Sequence, residues 1–168
     1  MDARKDNELT PAKNRTAVER KSDREIVVMR TFDAPARLVF EAWTKPELFK
    51  RWWLPKSSGF SLLSYEADIR TGGGYRLEFD IPGHGSMAFF GKYLEVTPHS
   101  RIVWTNEESE DGAVTTVTLE EKSGKTLLVL QDLYRSEEAL ERAGGSESGL
   151  PEQFAQLDEL LLSLGSHM

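Results

Sequence analysis

Between Phe32 and Pro55 the chain places two helix starts one short helix apart and loads both helices with aromatic side chains. Thr31-Phe32-Asp33-Ala34-Pro35 leads into Val39-Phe40-Glu41-Ala42-Trp43-Thr44-Lys45-Pro46-Glu47, and the stretch ends at Trp52-Trp53-Leu54-Pro55. Pro35 and Pro46 each suit the first position of a helix, where the missing N–H costs nothing and the fixed φ fits the turn. Helical spacing then puts Val39, Phe40 and Trp43 on one face, and Leu48, Phe49, Trp52 and Trp53 on another. So much aromatic surface must be covered by something large, and a curved sheet later in the chain is the expected cover.

The rest of the chain supplies that sheet. Glu25 to Phe32 reads as a first strand. After the helices, Leu62–Arg70, Tyr75–Asp80, Met87–Glu95, Arg101–Asn106, Val114–Glu121 and Thr126–Leu133 show β-branched or aromatic content with partial alternation. The connections between them carry turn residues such as Gly72-Gly73-Gly74, Pro82-Gly83-His84-Gly85 and Ser123-Gly124. Short connections make antiparallel neighbours. A Gly- and Ser-rich loop over 135–149 follows. Pro151 then opens a helix that repeats Phe154, Leu157, Leu160, Leu161 and Leu164 at helical spacing, with Glu152, Gln153, Gln156, Asp158 and Glu159 opposite. The one large apolar face left for it is the concave side of the sheet.

Length and composition narrow the function classes. The 168 residues suffice for one domain with a core of its own. Cysteine is absent, which removes disulfides, thiolate catalysis and cysteine-based metal sites. His84, His99 and His167 lack metal-ligand neighbours at helix or hairpin spacing, so neither a metal nor another cofactor is expected. The net charge is −7, and after residue 106 there are 14 Asp and Glu against 4 Lys and Arg. A nucleic-acid partner is disfavoured by that balance. No apolar run is long enough to span a bilayer and no leader is visible, so the expected location is cytoplasmic, without membrane insertion. Residues 1–22 are polar and charge-mixed and are expected to form a disordered or loosely attached arm. The globular domain is expected over 23–164, and Gly165-Ser166-His167-Met168 looks like the remnant of an expression tag.

From about Arg24 to Leu164 the chain resembles the START-like or Bet v 1-like (SRPBCC) superfamily, and within it the branch homologous to the activator of heat-shock protein 90 ATPase. The resemblance is carried by Arg30, Phe32, Ala34-Pro35, Val39, Ala42-Trp43-Thr44, Pro46-Glu47, Trp52-Trp53 and Pro55. It continues through Asp68-Ile69-Arg70-Thr71-Gly72-Gly73, Tyr75-Arg76, Gly91 to Pro98, Arg101-Ile102-Val103 and Thr105. Where that branch usually begins its last helix with Gly-Trp, this chain has Gly149-Leu150, which alters one cavity wall. The resemblance implies an α+β helix-grip fold: a curved seven-stranded antiparallel sheet wrapped around a long C-terminal helix, with two short helices after the first strand. It also implies an apolar cavity but no single reaction.

The expected function is therefore binding of a small apolar or lipid-like ligand, without evident catalysis. A co-chaperone-like module acting on a chaperone ATPase and a cyclase-like enzyme are the alternatives. The expected ligand-binding residues are Trp43, Trp52, Asp68, Arg70, Tyr75, Phe79, Phe89, Tyr93, Trp104, Leu150, Phe154 and Leu157. Asp68 and Arg70, two apart on one strand, are read either as a charged pair at the cavity mouth or, preferably, as a partly buried structural ion pair. Glu66, Asp68 and Glu78 are the only strand carboxylates considered as a base, and none has a readable nucleophile or second acid, so no catalytic residue is assigned. A monomer or a homodimer is expected.

Overall fold

In a computed structural model that describes residues 16–143 and 146–165, eight antiparallel strands form one open sheet. The strands are β1 (Ala17–Ser22), β2 (Glu25–Phe32), β3 (Ser61–Ala67), β4 (Gly74–Ile81), β5 (Gly85–Thr97), β6 (Arg101–Thr105), β7 (Val114–Lys122) and β8 (Lys125–Leu133). Their spatial order is β1-β2-β8-β7-β6-β5-β4-β3. The helices are α1 (Ala36–Thr44), α2 (Pro46–Trp52), α3 (Glu137–Ala143) and α4 (Leu150–Gly165), with short 3-10 turns at Lys56–Ser58 and Ser146–Gly149.

The count is one strand more than expected, and the extra one lies in the proposed arm. Of residues 1–22, the first 15 lie outside the described residues, whereas Ala17–Ser22 pairs with β2 as an edge strand, all six residues exposed. It buries almost no apolar surface, which is why composition gave no sign of it. Backbone pairing and contacts from Arg20 to Glu137 and Glu141 hold it. A second difference lies in 135–149, where α3 replaces part of the expected loop. Ser136 caps it, its Oγ accepting from the Ala139 amide at 3.0 Å, and Glu137, Glu138 and Arg142 sit at the ends that suit the helix dipole. Residues 166–168 of the suspected tag lie outside the described residues.

Pro46 occupies the first turn of α2 as expected, but Pro35 stands one residue before α1, as its N-cap. The first free amide of α1, Ala36, donates instead to Glu121 Oε1 of β7 at 2.9 Å. The two helices cover one part of the inner sheet face, and Trp52 ties them together by donating from Nε1 to Ala42 O at 2.9 Å. The long helix α4 covers another part. Phe154, Leu157 and Leu161 are fully buried with Val28, Phe32, Val117 and Leu128, and the Phe32 and Phe154 rings meet edge-on at 5.8 Å. Arg30 lies between Val28 and Phe32 on the same inner face and pairs with Asp158 of α4 at 3.4 Å.

β5 is the longest strand because it serves two neighbours. Residues 85–92 pair with β4, and 93–97 pair with β6. The changeover requires close backbone approach at Gly91, where an added Cβ would lie 2.1 Å from Thr105 O. A similar constraint shapes the β3–β4 turn: Gly72 has φ +92°, and a Cβ on Gly73 would meet Asp68 O at 1.9 Å.

Candidate functional site

Two adjoining cavities open between the inner sheet face, α2 with its following loop, and the start of α4. The inner one measures about 50 Å³ and is walled by aromatic side chains, among them Trp43, Phe49, Trp53, Tyr65, Tyr75 and Tyr93. The outer one measures about 540 Å³, within the range of small-molecule sites. Trp53, Phe89, Trp104 and Asn106 belong to the walls of both.

The twelve residues expected to bind a ligand separate into three groups. Trp43, Tyr75, Phe89, Tyr93 and Trp104 line the inner cavity, and Phe79, Phe89, Trp104 and Leu150 line the outer one. Trp52, Phe154 and Leu157 have no solvent exposure and line neither; they are core, because α4 beyond its first turns lies directly on α1, α2 and β2. Asp68 and Arg70 correct the strand reading. β3 ends at Ala67, and both residues stand on the turn that follows, paired at 2.9 Å with side chains 57% and 68% exposed. They line neither cavity, and they are not a buried pair. Among the described residues, Arg30 and Asp158 form an ion pair that is mostly buried on both sides, with side chains 6% and 20% exposed. Burial raises the Asp158 carboxyl, and the Arg30 guanidinium partly offsets that.

The tyrosines of the inner cavity are neutral hydroxyls. Burial pushes the hydroxyls of Tyr65, Tyr75 and Tyr93 upward, so they keep their protons. Tyr75 donates to Thr105 O at 2.7 Å, and Tyr93 is hydrogen-bonded to Tyr65. Trp43 Nε1 is buried without a hydrogen-bond partner among the described residues.

One end of the outer cavity is polar, and its residues were absent from the expected set. Asn106 Nδ2 donates to Thr115 Oγ1 at 2.9 Å, and Thr115 donates to Asp132 Oδ1 at 2.6 Å. Asp132 is hydrogen-bonded to Glu147, which accepts from Tyr134 Oη at 2.6 Å. Burial and the Glu147 neighbour hold the Asp132 carboxyl well above the usual carboxylate range, against the Thr115 hydrogen bond that favours its charge. Thr115 and Asp132 are directly opposed in the β7–β8 register, so their contact follows from strand pairing. The sequence carried a signal: Thr126, Leu128 and Leu130 are buried, and Asp132 continues their alternation on the inner face. Thr115 stands in the same relation to Val117 and Leu119. Glu147 had no such signal, since its place depends on how the chain returns between α3 and α4.

The acidic β6–β7 loop keeps Glu107, Ser109 and Glu110 exposed while it runs beside β5. Phe90 donates its amide to Glu108 Oε1 at 3.1 Å, and Arg142 of α3 clamps Asp111 through two bonds of 2.9 and 2.8 Å. The strand carboxylates Glu66 and Glu78 and the turn histidines His84 and His99 line neither of these two cavities. Among the described residues no cluster of His, Asp and Glu is arranged to hold a metal, and no helix is long and apolar enough to cross a membrane.

Comparison with known families places this geometry. A profile described as "Activator of Hsp90 ATPase homolog 1-like protein" matches residues 33–162. The chain belongs to this family. Its fold recurs in a crystal structure from Nitrosomonas europaea, with TM-score 0.76 at 24% identity over 87% of this chain and 99% of that one. A Rhodobacter sphaeroides protein gives 0.79 at 20% identity, covering 89% and 99%. A Chromobacterium violaceum protein is 31% identical over 82% of this chain and 96% of its own, with TM-score 0.67. No curated protein matches. Family membership thus accounts for the helix pair, the open sheet and the long last helix, all within the START-like superfamily, while the polar end of the cavity is described by this chain's own residues.

Proposed function

We propose that the protein binds a small, largely apolar molecule in the outer cavity. The observation that carries this reading is a space of about 540 Å³ with Phe60, Phe79, Met87, Phe89, Leu130 and Leu150 in its walls and a compact polar cluster at one end. Apolar walls supply the free energy of transfer, roughly 25 cal/mol for each Å² removed from water, and a few fixed polar groups supply orientation. Leu150 stands where the family more often has Trp, a smaller side chain that leaves more room beside Gln153 and Trp53. Native mass spectrometry of the purified protein tests the reading. A retained small molecule, or uptake from a panel of apolar compounds, is the expected result; a protein that carries and takes up none would overturn it.

The family description favours a second reading, a module that acts on a chaperone ATPase. A pull-down with the purified chaperone, followed by an ATPase assay, separates the two, because stimulation by the protein would occur with the outer cavity filled or empty.

A further inference from the structure

We propose that the outer cavity selects hydrophobic amines, the ammonium seated on the Asp132–Glu147 pair and the apolar body lying along Phe79, Met87 and Phe89. This deepens the small-molecule reading and rests on it. Four carboxyl side chains line the cavity, Glu108, Asp111, Asp132 and Glu147, against one cation, Arg142. Arg142 is already committed, since both of its bonds go to Asp111, whose carboxyl it holds below the usual range. What a ligand head meets is therefore acid. A fatty acid or phosphate head would face repulsion in a poorly solvated pocket, whereas an ammonium would gain charge-assisted hydrogen bonds.

The polar end is built rather than incidental. Thr115 is 4%, Tyr134 3% and Glu147 6% exposed, and each is hydrogen-bonded toward the pair. Thr115 and Tyr134 both donate, which leaves carboxyl oxygens, not donors, as the groups presented. Asp132 retains some exposure and lines the cavity, so its carboxyl is reachable from there. Burial and the neighbouring Glu147 favour the protonated form of Asp132, and an entering ammonium takes that proton's place beside the two carboxyl groups.

Because seating the ammonium displaces the Asp132 proton, amine affinity should rise with pH as Asp132 ionises. The groups facing Asp132 are Thr115 from β7, Glu147 from the turn before α4 and Tyr134 beyond β8. Glu108, Asp111 and Arg142 line the same cavity farther along the chain. Of these, Asp132 beside Glu147 is the carboxyl on which the ammonium is seated, so the pH dependence belongs to it.

Isothermal titration calorimetry with octylamine, octanol and octanoate against the full chain tests this. Octylamine is expected to bind about tenfold or more tightly than octanol, as a charge-assisted hydrogen bond allows, with octanoate weakest. Asp132→Asn and Glu147→Gln, each first shown folded by circular dichroism, should erase the preference for the amine over the alcohol. Equal or better binding of octanol, or an amine preference that survives both substitutions, would overturn the inference and leave the small-molecule reading standing. If none of the three binds the folded wild-type protein, both fail. The ligand series on the wild-type protein decides the matter even if the variants do not fold.

Discussion

Two ion pairs of this molecule, Asp68–Arg70 and Arg30–Asp158, behave oppositely because their surroundings differ. Arg70 and Asp68 are mostly in water, so Arg70→Ala should change stability by less than about 1 kcal/mol in a thermal melt. Arg30 is almost buried, lies 5.3 Å from the Phe32 ring centre and pairs with Asp158 across the β2–α4 contact. Arg30→Ala leaves a carboxylate without its partner and opens space on the inner sheet face; a loss of about 3 kcal/mol is expected in denaturant unfolding. The double change Arg30→Met, Asp158→Leu should recover much of it. Alternation in β2 showed that position 30 faces inward, yet nothing in sequence spacing named its partner 128 residues away. The Asp68–Arg70 pair was misjudged for the converse reason. Its i, i+2 spacing implies a shared face only while the strand lasts, and the glycines at 72 and 73 end it early.

Among the elements, those with strong apolar periodicity were legible and those held by backbone or polar contacts were not. The pair α1 and α2, the strand series and α4 all declare themselves by which residues must be covered. β1 escapes that test because all six of its residues are exposed. Its contribution is backbone pairing along β2 and shielding of that edge. Deleting residues 1–22 is therefore expected to lower the melting temperature by about 2–4 °C, the effect of roughly 1 kcal/mol in a domain of this size, and to promote aggregation seen by light scattering. α4 should respond far more steeply. Leu157→Ala removes a side chain with no exposure from the centre of the helix contact, and a loss of about 3 kcal/mol or more is expected.

At the scale of the molecule, the polar end of the cavity sets a pH dependence. A carboxyl whose folded-state ionisation is raised holds its proton longer in the native than in the unfolded chain. Its stabilising contribution is present below the unfolded value near pH 4 and is lost as pH rises toward the folded value, at up to about 1.4 kcal/mol per pH unit. Asp132→Asn mimics the protonated form, so the variant should gain on the wild type as pH rises from about 4 to 8, read from paired thermal melts. The overall architecture could be read from the sequence because burial dictates it. The site could be read only in part, because it is assembled by β7–β8 register and by the path of the chain between α3 and α4.

All four tryptophans, Trp43, Trp52, Trp53 and Trp104, belong to one packed assembly at the junction of the helix pair, the sheet and α4, with the Trp43 ring centre within 6 Å of each of the other three. The ultraviolet emission of the protein therefore reports on a single neighbourhood, the wall of the two cavities and the core behind it. The β1–β2 edge and α3 carry no indole and are dark in that signal. A melt followed by tryptophan emission at 295 nm excitation and one followed by far-ultraviolet dichroism sample different parts of the same chain. A β1 edge that frays first would appear in the dichroism alone.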